Sequence, residues 1–457
     1  MDIPALNQLC RHYHALLIHS DEESISIAVV GAPQEALLDA LRFTVNKRIH
    51  IECWSEERLE KAFNQHSAQT AGDDAPVTGQ VDNILTQAVQ RRASDIHIEP
   101  GAENLSVRLR IDGVLQPLLS LPAELAAGIA TRLKVAAELD IAERRLPQDG
   151  QFSRELAEKS VTFRISTLPC CYGEKIVLRL QEQEARPLSL AALGMPPHAL
   201  EAYRRALACP QGLILVTGPT GSGKTITLYS GLNALNTPQV NISSVEDPVE
   251  IALPGINQTR VNPRAGLDYQ TILRALLRQD PDVIMIGEIR DRETAEIAVK
   301  AAQTGHLVLA TLHTNSTTET LIRLQQMGIS GWMIASALRL IVAQRLARRL
   351  CPRCRRQCPA QEDNTSSSEG AHLNHWQAGG CEHCYSGFYG RIALFETLII
   401  DGPLKRAIAS DAGVAAIELL AQEQGMETLH QCGTHAVGEG LTTQEELLRV
   451  LGYGGGY

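Results

Sequence analysis

Gly218-Pro219-Thr220-Gly221-Ser222-Gly223-Lys224-Thr225 combines small residues, a lysine and a hydroxyl in the order that phosphate chemistry needs. Glycines let consecutive backbone N–H groups turn toward one anion, and a helix start adds partial positive charge. Lys224 is placed to reach the β- and γ-phosphates of a nucleotide, and the Thr225 hydroxyl to hold Mg²⁺. The flanks agree with this reading. Leu213-Ile214-Leu215-Val216 is a short apolar run, and Ile226, Leu228, Leu232 and Leu235 follow at helical spacing. Strand, glycine-rich turn and helix in that order form a phosphate-binding loop.

Three later stretches repeat the pattern of an apolar strand ending in a reactive group. Val240–Val245 runs into Glu246-Asp247-Pro248-Val249-Glu250. Glu246 is a candidate base for the attacking water, although Asp-Pro is also a frequent turn pair. Val283–Ile286 emerges through Gly287 into Glu288, the candidate partner of a Mg²⁺-bound water, with Ile289-Arg290-Asp291 after it. Leu307–Leu312 is flanked by His306 and His313; a histidine at the C-terminal end of a central strand is placed to sense phosphate. An open α/β sheet puts its reactive groups at such strand ends. Together these features favour hydrolysis of a phosphate ester.

Cysteine supplies a second site. Cys351-Pro352-Arg353-Cys354 and Cys381-Glu382-His383-Cys384 are two C-x-x-C knuckles, enough to give Zn²⁺ four thiolates with no position left open for catalysis. The redox alternative lacks a thioredoxin-like context. The other seven of the eleven cysteines show no partner spacing and read as inert thiols. Arg345, Arg348, Arg349, Arg353, Arg355 and Arg356 lead into the first knuckle. They read as a solvated face, with docking to an acidic partner or anionic lipid as the sharper alternative.

A chain of 457 residues exceeds one hydrophobic core and suggests about three domains. Residues 1–63 form a small α/β module. Strands are expected at Ile25–Val30 and Ile49–Cys53, and helices at Glu35–Phe43 and Glu56–Phe63. Residues 64–80 lack apolar bulk and read as a linker. An α+β domain follows over 81–181, with a first helix around Ile84–Val89 and strands at Ser94–Pro100, Leu105–Gly113, Val161–Ser166 and Lys175–Leu180. A second helix is expected at Leu125–Leu139. From that stretch alone its arginines read as solvated. Residues 182–192 are a second linker, and 193–457 hold the phosphate loop, the cysteine insertion at 351–384 and a mostly helical end with a capping box at Thr442-Thr443-Gln444-Glu445. No apolar run is long enough to span a bilayer, and Met1-Asp2-Ile3-Pro4 does not begin a signal peptide, so the chain is expected in the cytoplasm.

With these residues in view, the chain resembles the secretion ATPases, in the type II secretion and type IV pilus assembly branch. Glu246–Glu250 is similar to that family's Asp box, Gly287–Asp291 to its variant Walker B, and Thr304–Leu307 through Thr311–Thr314 to its His box. Ser94–Pro100 with Arg110–Gly113 is similar to the domain before its ATPase core. The resemblance implies a RecA-like phosphate-loop core after a PAS-like α+β domain, with ATP, Mg²⁺ and Zn²⁺ as cofactors. It implies a homo-hexamer on the cytoplasmic face of the inner membrane, peripheral and held there by partners. Those partners would be a polytopic platform protein and the pilin or pseudopilin machinery. By the same match, Glu246 would be the catalytic carboxylate, Glu288 the Mg²⁺-water partner and His313 the γ-phosphate sensor, while Arg110 and Arg164 would approach the triphosphate. Gln151 departs from the family, which commonly has arginine after Pro-Gln-Asp-Gly.

Two other functions compete. A nucleic-acid-translocating ATPase is disfavoured by a net charge of −10 and by aromatics at 4%, because single-strand grooves use stacking platforms and positive charge. No nucleic-acid partner is therefore expected. A nucleotide-gated scaffold with little turnover is disfavoured by the presence of Lys224, Glu246 and Glu288 together.

Overall fold

The computed structural model describes residues 15–20, 24–31, 48–54, 77–156, 159–181, 188–358 and 375–452. The helices expected at Glu35–Phe43 and Glu56–Phe63, and most of the first linker, lie outside them. The chain divides into two compact units, 1–183 and 184–457. No helix among the described residues is long and apolar enough to cross a membrane.

In the first unit, β1 (Leu16–Ser20), β2 (Ser24–Val30) and β3 (Arg48–Trp54) form a small sheet in that order, antiparallel then parallel. Helix α1 (Val77–Gln90) begins four residues before the boundary expected at Val81 and buries Gln80, Val81, Ile84, Leu85 and Ala88. After it come β4 (Asp95–Pro100), β5 (Asn104–Ile111), β6 (Val114–Pro122), α2 (Leu125–Ala136), β7 (Gln148–Leu156), β8 (Lys159–Cys170) and β9 (Gly173–Gln181). The six strands make one antiparallel sheet in the order β6-β5-β4-β9-β8-β7. Strand alternation buries Ile96, Ile98, Val107, Leu109, Ile165, Ile176 and Leu178 on one face and leaves the polar residues on the other. Strand β7 escaped the sequence reading because it starts in Gln148-Asp149-Gly150, a composition that signals a turn.

In the second unit, a short 3-10 turn at Leu190–Leu193, capped by Ser189, occupies the end of the expected second linker. Then follow α3 (Pro197–Leu207), β10 (Gly212–Thr217), α4 (Lys224–Leu235), β11 (Ile242–Glu246), β12 (Asn257–Arg260), α5 (Tyr269–Leu276), β13 (Val283–Ile286), α6 (Arg292–Gln303) and β14 (Leu307–Leu312). The unit continues with α7 (Thr317–Gln326), α8 (Gly331–Ala337), β15 (Leu338–Leu350), β16 (Arg356–Cys358), β17 (His375–Gln377) and β18 (Phe388–Ile399). Helices α9 (Gly402–Ala409), α10 (Val414–Glu423), α11 (Leu429–Gly438) and α12 (Gln444–Leu451) close it. The main sheet runs β12-β11-β13-β14-β10-β15-β18, parallel except for the last pair. Its central strands are buried on both faces, as continuous apolar runs such as Leu213–Val216 and Leu307–Ala310 require. One face packs on α3 and α4 through Ala199, Tyr203, Leu228 and Leu232, and the other on α5 to α10 through Ile272, Ala298, Leu321 and Ile408.

Two expectations are corrected here. The arginines before the first knuckle are not a uniformly solvated face. Arg345 and Arg348 belong to the buried strand β15, and Arg348 is paired with Glu446 at 2.8 Å and lies over the Phe388 ring. The capping box sits at Thr428 and Gln431, where both reciprocal bonds are made. Thr443 does cap α12, but Glu446, three residues on, is drawn away by Arg348 and Arg449.

Candidate nucleotide and metal sites

The phosphate loop joins β10 to α4 as its sequence requires. Gly218 has φ 147° and Gly223 φ 90°, and a Cβ at either would strike Gln344, so these turns need glycine. The Lys224 ammonium folds back onto the loop, donating to Gly218 O at 2.7 Å and Pro219 O at 3.0 Å. Burial pulls its pKa down to about 8. Ser222 Oγ is buried with no hydrogen-bond partner among the described residues. A desolvated cation held only by carbonyls and an orphaned hydroxyl fit a cradle made for phosphate oxygens.

A cavity of about 460 Å³ opens over this loop. Thr220–Thr225 form its floor, and Glu246, Asp247, Glu250, Tyr269, Glu288, Arg290, Thr311 and His313 contribute to its walls. The strand order explains the gathering: β11, β13 and β14 lie to one side of β10 and end at the same edge. Glu288 Oε1 meets His313 Nε2 at 3.1 Å, and its Oε2 accepts from Arg290 Nε at 2.7 Å. Burial and the nearby Lys224 charge lower the His313 pKa, against the opposing pull of Glu288. Thr217 Oγ1 and Thr314 Oγ1, 2.6 Å apart, tie the loop strand to the segment carrying His313.

The two glutamates of the acidic turn are not equivalent. Glu246 is buried, and both its oxygens are occupied. Oε1 accepts from Ser244 Oγ at 2.6 Å and from Gln258 Nε2 at 3.0 Å, while Oε2 accepts from the Tyr229 hydroxyl. Glu250, on the same turn, is exposed, lines the cavity and raises the Lys224 pKa by its charge. Sequence reasoning singled out Glu246 and passed over Glu250, because saturation of a carboxylate depends on Tyr229 and Gln258, which no local motif announces.

The four knuckle cysteines converge. Cys351 and Cys381 sulfurs are 3.8 Å apart, Cys354 and Cys384 3.6 Å, and Cys381 and Cys384 3.6 Å. All four sulfurs lie within 4.8 Å of one another, a set able to hold a metal ion.

Residues 70–449 match the profile of a family described as type II/IV secretion system protein. The chain belongs to that family. It is 55% identical over 456 residues to the "Protein transport protein HofB homolog" of Escherichia coli K12, covering 99% of each chain. It is 47% identical over 393 residues to the type IV pilus assembly ATPase PilB of Pseudomonas aeruginosa, covering 84% of this chain and 69% of that one. It is 44% identical over 382 residues to the type II secretion system ATPase E of Vibrio cholerae, covering 83% and 76%. Among solved structures it is similar to the pilus retraction motor PilT with bound ADP, at TM-score 0.53 and 27% identity over 80% of this chain and 96% of that one. The ATPase DotB of Legionella pneumophila shares the fold, at TM-score 0.60 and 21% identity over 82% and 95%. The family's α/β architecture, with a phosphate-loop core behind an α+β domain, is therefore the fold of this chain.

The α+β domain carries several arginines on the polar face of its six-stranded sheet. They fall on one rung of the six-stranded sheet: Gln151, Arg164, Arg179, Asp95 and Arg110 are successive cross-strand neighbours. Asp95 holds Arg179 at 3.0 Å and Arg110 at 3.5 Å. Arg164 stands directly across from Arg179, a like-charge cross-strand pair. Glu99 grips Arg108 at 2.6 Å and Lys175 at 2.7 Å on the same surface.

Proposed function

We propose that this chain is an ATP hydrolase that drives assembly of type IV pilus or type II secretion pseudopilus fibres, converting turnover into motion between its domains. The observation carrying the reading is the cavity over the phosphate loop, in which Lys224, Glu288, Glu250 and His313 meet within a family whose relatives are named as pilus assembly and secretion ATPases. Gly218–Thr225 would hold the phosphates, with the Thr225 hydroxyl and Glu288 as the groups placed for Mg²⁺ and its water; the ion supplies charge neutralisation. Glu250 is the better base, because its carboxylate is exposed on the cavity wall, whereas the buried Glu246 carboxylate is engaged by three hydrogen bonds and fixes the turn. His313 donates to Glu288 and ties its position to the loop's contents. Arg110 and Arg164 would stabilise transition-state charge on a phosphoryl group.

A tetrahedral Zn²⁺ with bonds of about 2.3 Å spaces its sulfurs by about 3.8 Å, so the cysteine cluster fits zinc as a structural ion held by Cys351, Cys354, Cys381 and Cys384. We assign the chain to homo-hexamers at the cytoplasmic face of the inner membrane, with a polytopic platform protein and the pilin or pseudopilin machinery as partners. Phosphate release by the purified chain, abolished in Lys224→Ala, tests the enzymatic reading. ATP binding without turnover would leave a nucleotide-gated scaffold, and stimulation by DNA would point to a translocase.

A further inference from the structure

Tyr269 is anchored like a core residue and ends in the nucleotide cavity. Tyr269, Ile272, Leu273 and Leu276 recur at helical spacing along one face of α5, and that face packs on the core of the unit. Asp268 caps the helix, accepting from Thr271 N at 2.8 Å, so the first turn is held in place. A Cβ built on Gly287 would lie 3.1 Å from the Tyr269 hydroxyl and 3.2 Å from Val245 O. The hydroxyl therefore stands where the paired strands β11 and β13 end, and Tyr269 and Gly287 both line the cavity. Two other tyrosines of this unit have their hydroxyls engaged: Tyr203 donates to Thr227 O at 3.0 Å, and Tyr229 donates to Glu246. The Tyr269 hydroxyl has no hydrogen-bond partner among the described residues.

A phenol whose ring is packed in a core usually finds a partner for its hydroxyl, because leaving the group unpaired is costly. Here the partner must come from the contents of the cavity. Burial, with the Asp247 charge second, pushes the Tyr269 pKa up to about 12, so the group stays protonated and neutral. Its neighbours on the wall include the carboxylates Glu246, Asp247, Glu250 and Glu288. A neutral oxygen among them can hold a water without adding repulsion toward a triphosphate. We propose that Tyr269 orients the attacking water: its oxygen accepts one water hydrogen while Glu250 accepts the other, which aims a lone pair of the water at the γ-phosphorus. The water oxygen bonds to phosphorus as the bridging P–O bond breaks, and that electron pair leaves on ADP. One water proton passes to Glu250, the other stays on the released phosphate, and Tyr269 keeps its own. This rests on the ATP-hydrolase reading and adds a water-orienting residue to it.

Tyr269→Phe in the full-length chain deletes the hydroxyl and keeps the ring. The single-turnover rate of ATP cleavage is expected to fall about threefold to tenfold, the worth of one neutral hydrogen bond. KM and the calorimetric Kd for ATP are expected to hold, with Tm within about 1 °C of the unsubstituted chain. An unchanged cleavage rate would overturn the proposal, with the hydrolase reading intact. So would a weakened Kd for ATP beside an unchanged Kd for ADP, since the hydroxyl would then be gripping the γ-phosphate. A lowered Tm with both nucleotides bound more weakly would overturn it as well, making the hydroxyl a support of the fold. If the unsubstituted chain binds ATP without cleaving it, the hydrolase reading falls first, before any substitution is made.

Discussion

Replacing Glu246 and Glu250 separately by glutamine asks which carboxylate does chemistry. In Glu246→Gln the amide oxygen can still accept from Ser244 and Gln258, and the new amide N–H₂ turns to the Tyr229 hydroxyl, which rotates to accept. The change converts charge-assisted hydrogen bonds into neutral ones at a buried position, at a cost of about 1–2 kcal/mol. For a unit of this size that lowers Tm by roughly 2–4 °C per kcal/mol. The active geometry survives, so kcat is expected to fall less than about tenfold, an indirect effect of a turn held less firmly. Glu250→Gln removes no buried bond and is expected to leave Tm within about 1 °C. Loss of the base lowers kcat by about 10²–10⁴ with nucleotide affinity retained. Phosphate release under saturating ATP, nucleotide binding by calorimetry and thermal denaturation on the same two preparations give all the readouts. The reasoning is refuted if Glu246→Gln is inert at unchanged Tm while Glu250→Gln turns over normally.

Other outcomes follow from the same geometry. Burial pulls the Lys224 pKa down to about 8, whereas bound phosphate favours the charged form. ATP binding is therefore expected to take up a proton at pH 9 and none at pH 7, and affinity to weaken toward tenfold per pH unit above about 8. Buffer-dependent binding enthalpies check the sign, and a flat affinity between pH 7 and 9.5 would contradict it. Arg348 and Arg449 hold the Glu446 carboxyl down to about 2 against the desolvation that opposes it. The stability it contributes is complete above the ordinary glutamate range near 4.5 and is lost as pH falls toward 2; Glu446→Gln should flatten that acid limb in thermal melts between pH 3 and 6. Removing this carboxylate from its two arginines is expected to cost about 3 kcal/mol at neutral pH, measured by denaturant unfolding. Purified chain should carry about one zinc by elemental analysis, falling below about a tenth in Cys384→Ser, with a lowered Tm. Arg164→Gln should lower kcat by about tenfold or more with little change in ATP binding, if that arginine acts on developing charge.

Much of this was legible before any coordinates. The strands β10, β13 and β14 are contiguous apolar runs, and a strand buried on both faces has no other way to be written. The loop glycines and the knuckle cysteines declare themselves by spacing, since their chemistry is local. What stayed hidden depends on distant partners. β15 reads as a basic stretch because Arg345 and Arg348 interrupt it. Yet Arg345 satisfies itself on the carbonyls of Gln344 and Asn315 at 3.0 and 2.9 Å, and Arg348 on Glu446, about a hundred residues further on. The different surroundings of Glu246 and Glu250 were hidden for the same reason. Arg164 and Arg179 lie far enough apart in the chain that only strand register makes them neighbours.

Strand β15 joins both chemistries of the second unit. Near its middle Gln344 accepts the hydroxyl of Thr227 on α4 at 2.7 Å, and Arg345 reaches the segment after His313; at its far end Leu350 is followed by Cys351, the first of the four clustered cysteines. Between the two runs the antiparallel ladder to β18, with a register shift between Arg348 and Leu350. One strand thus sets the spacing between the helix that follows the phosphate loop and the four-cysteine cluster.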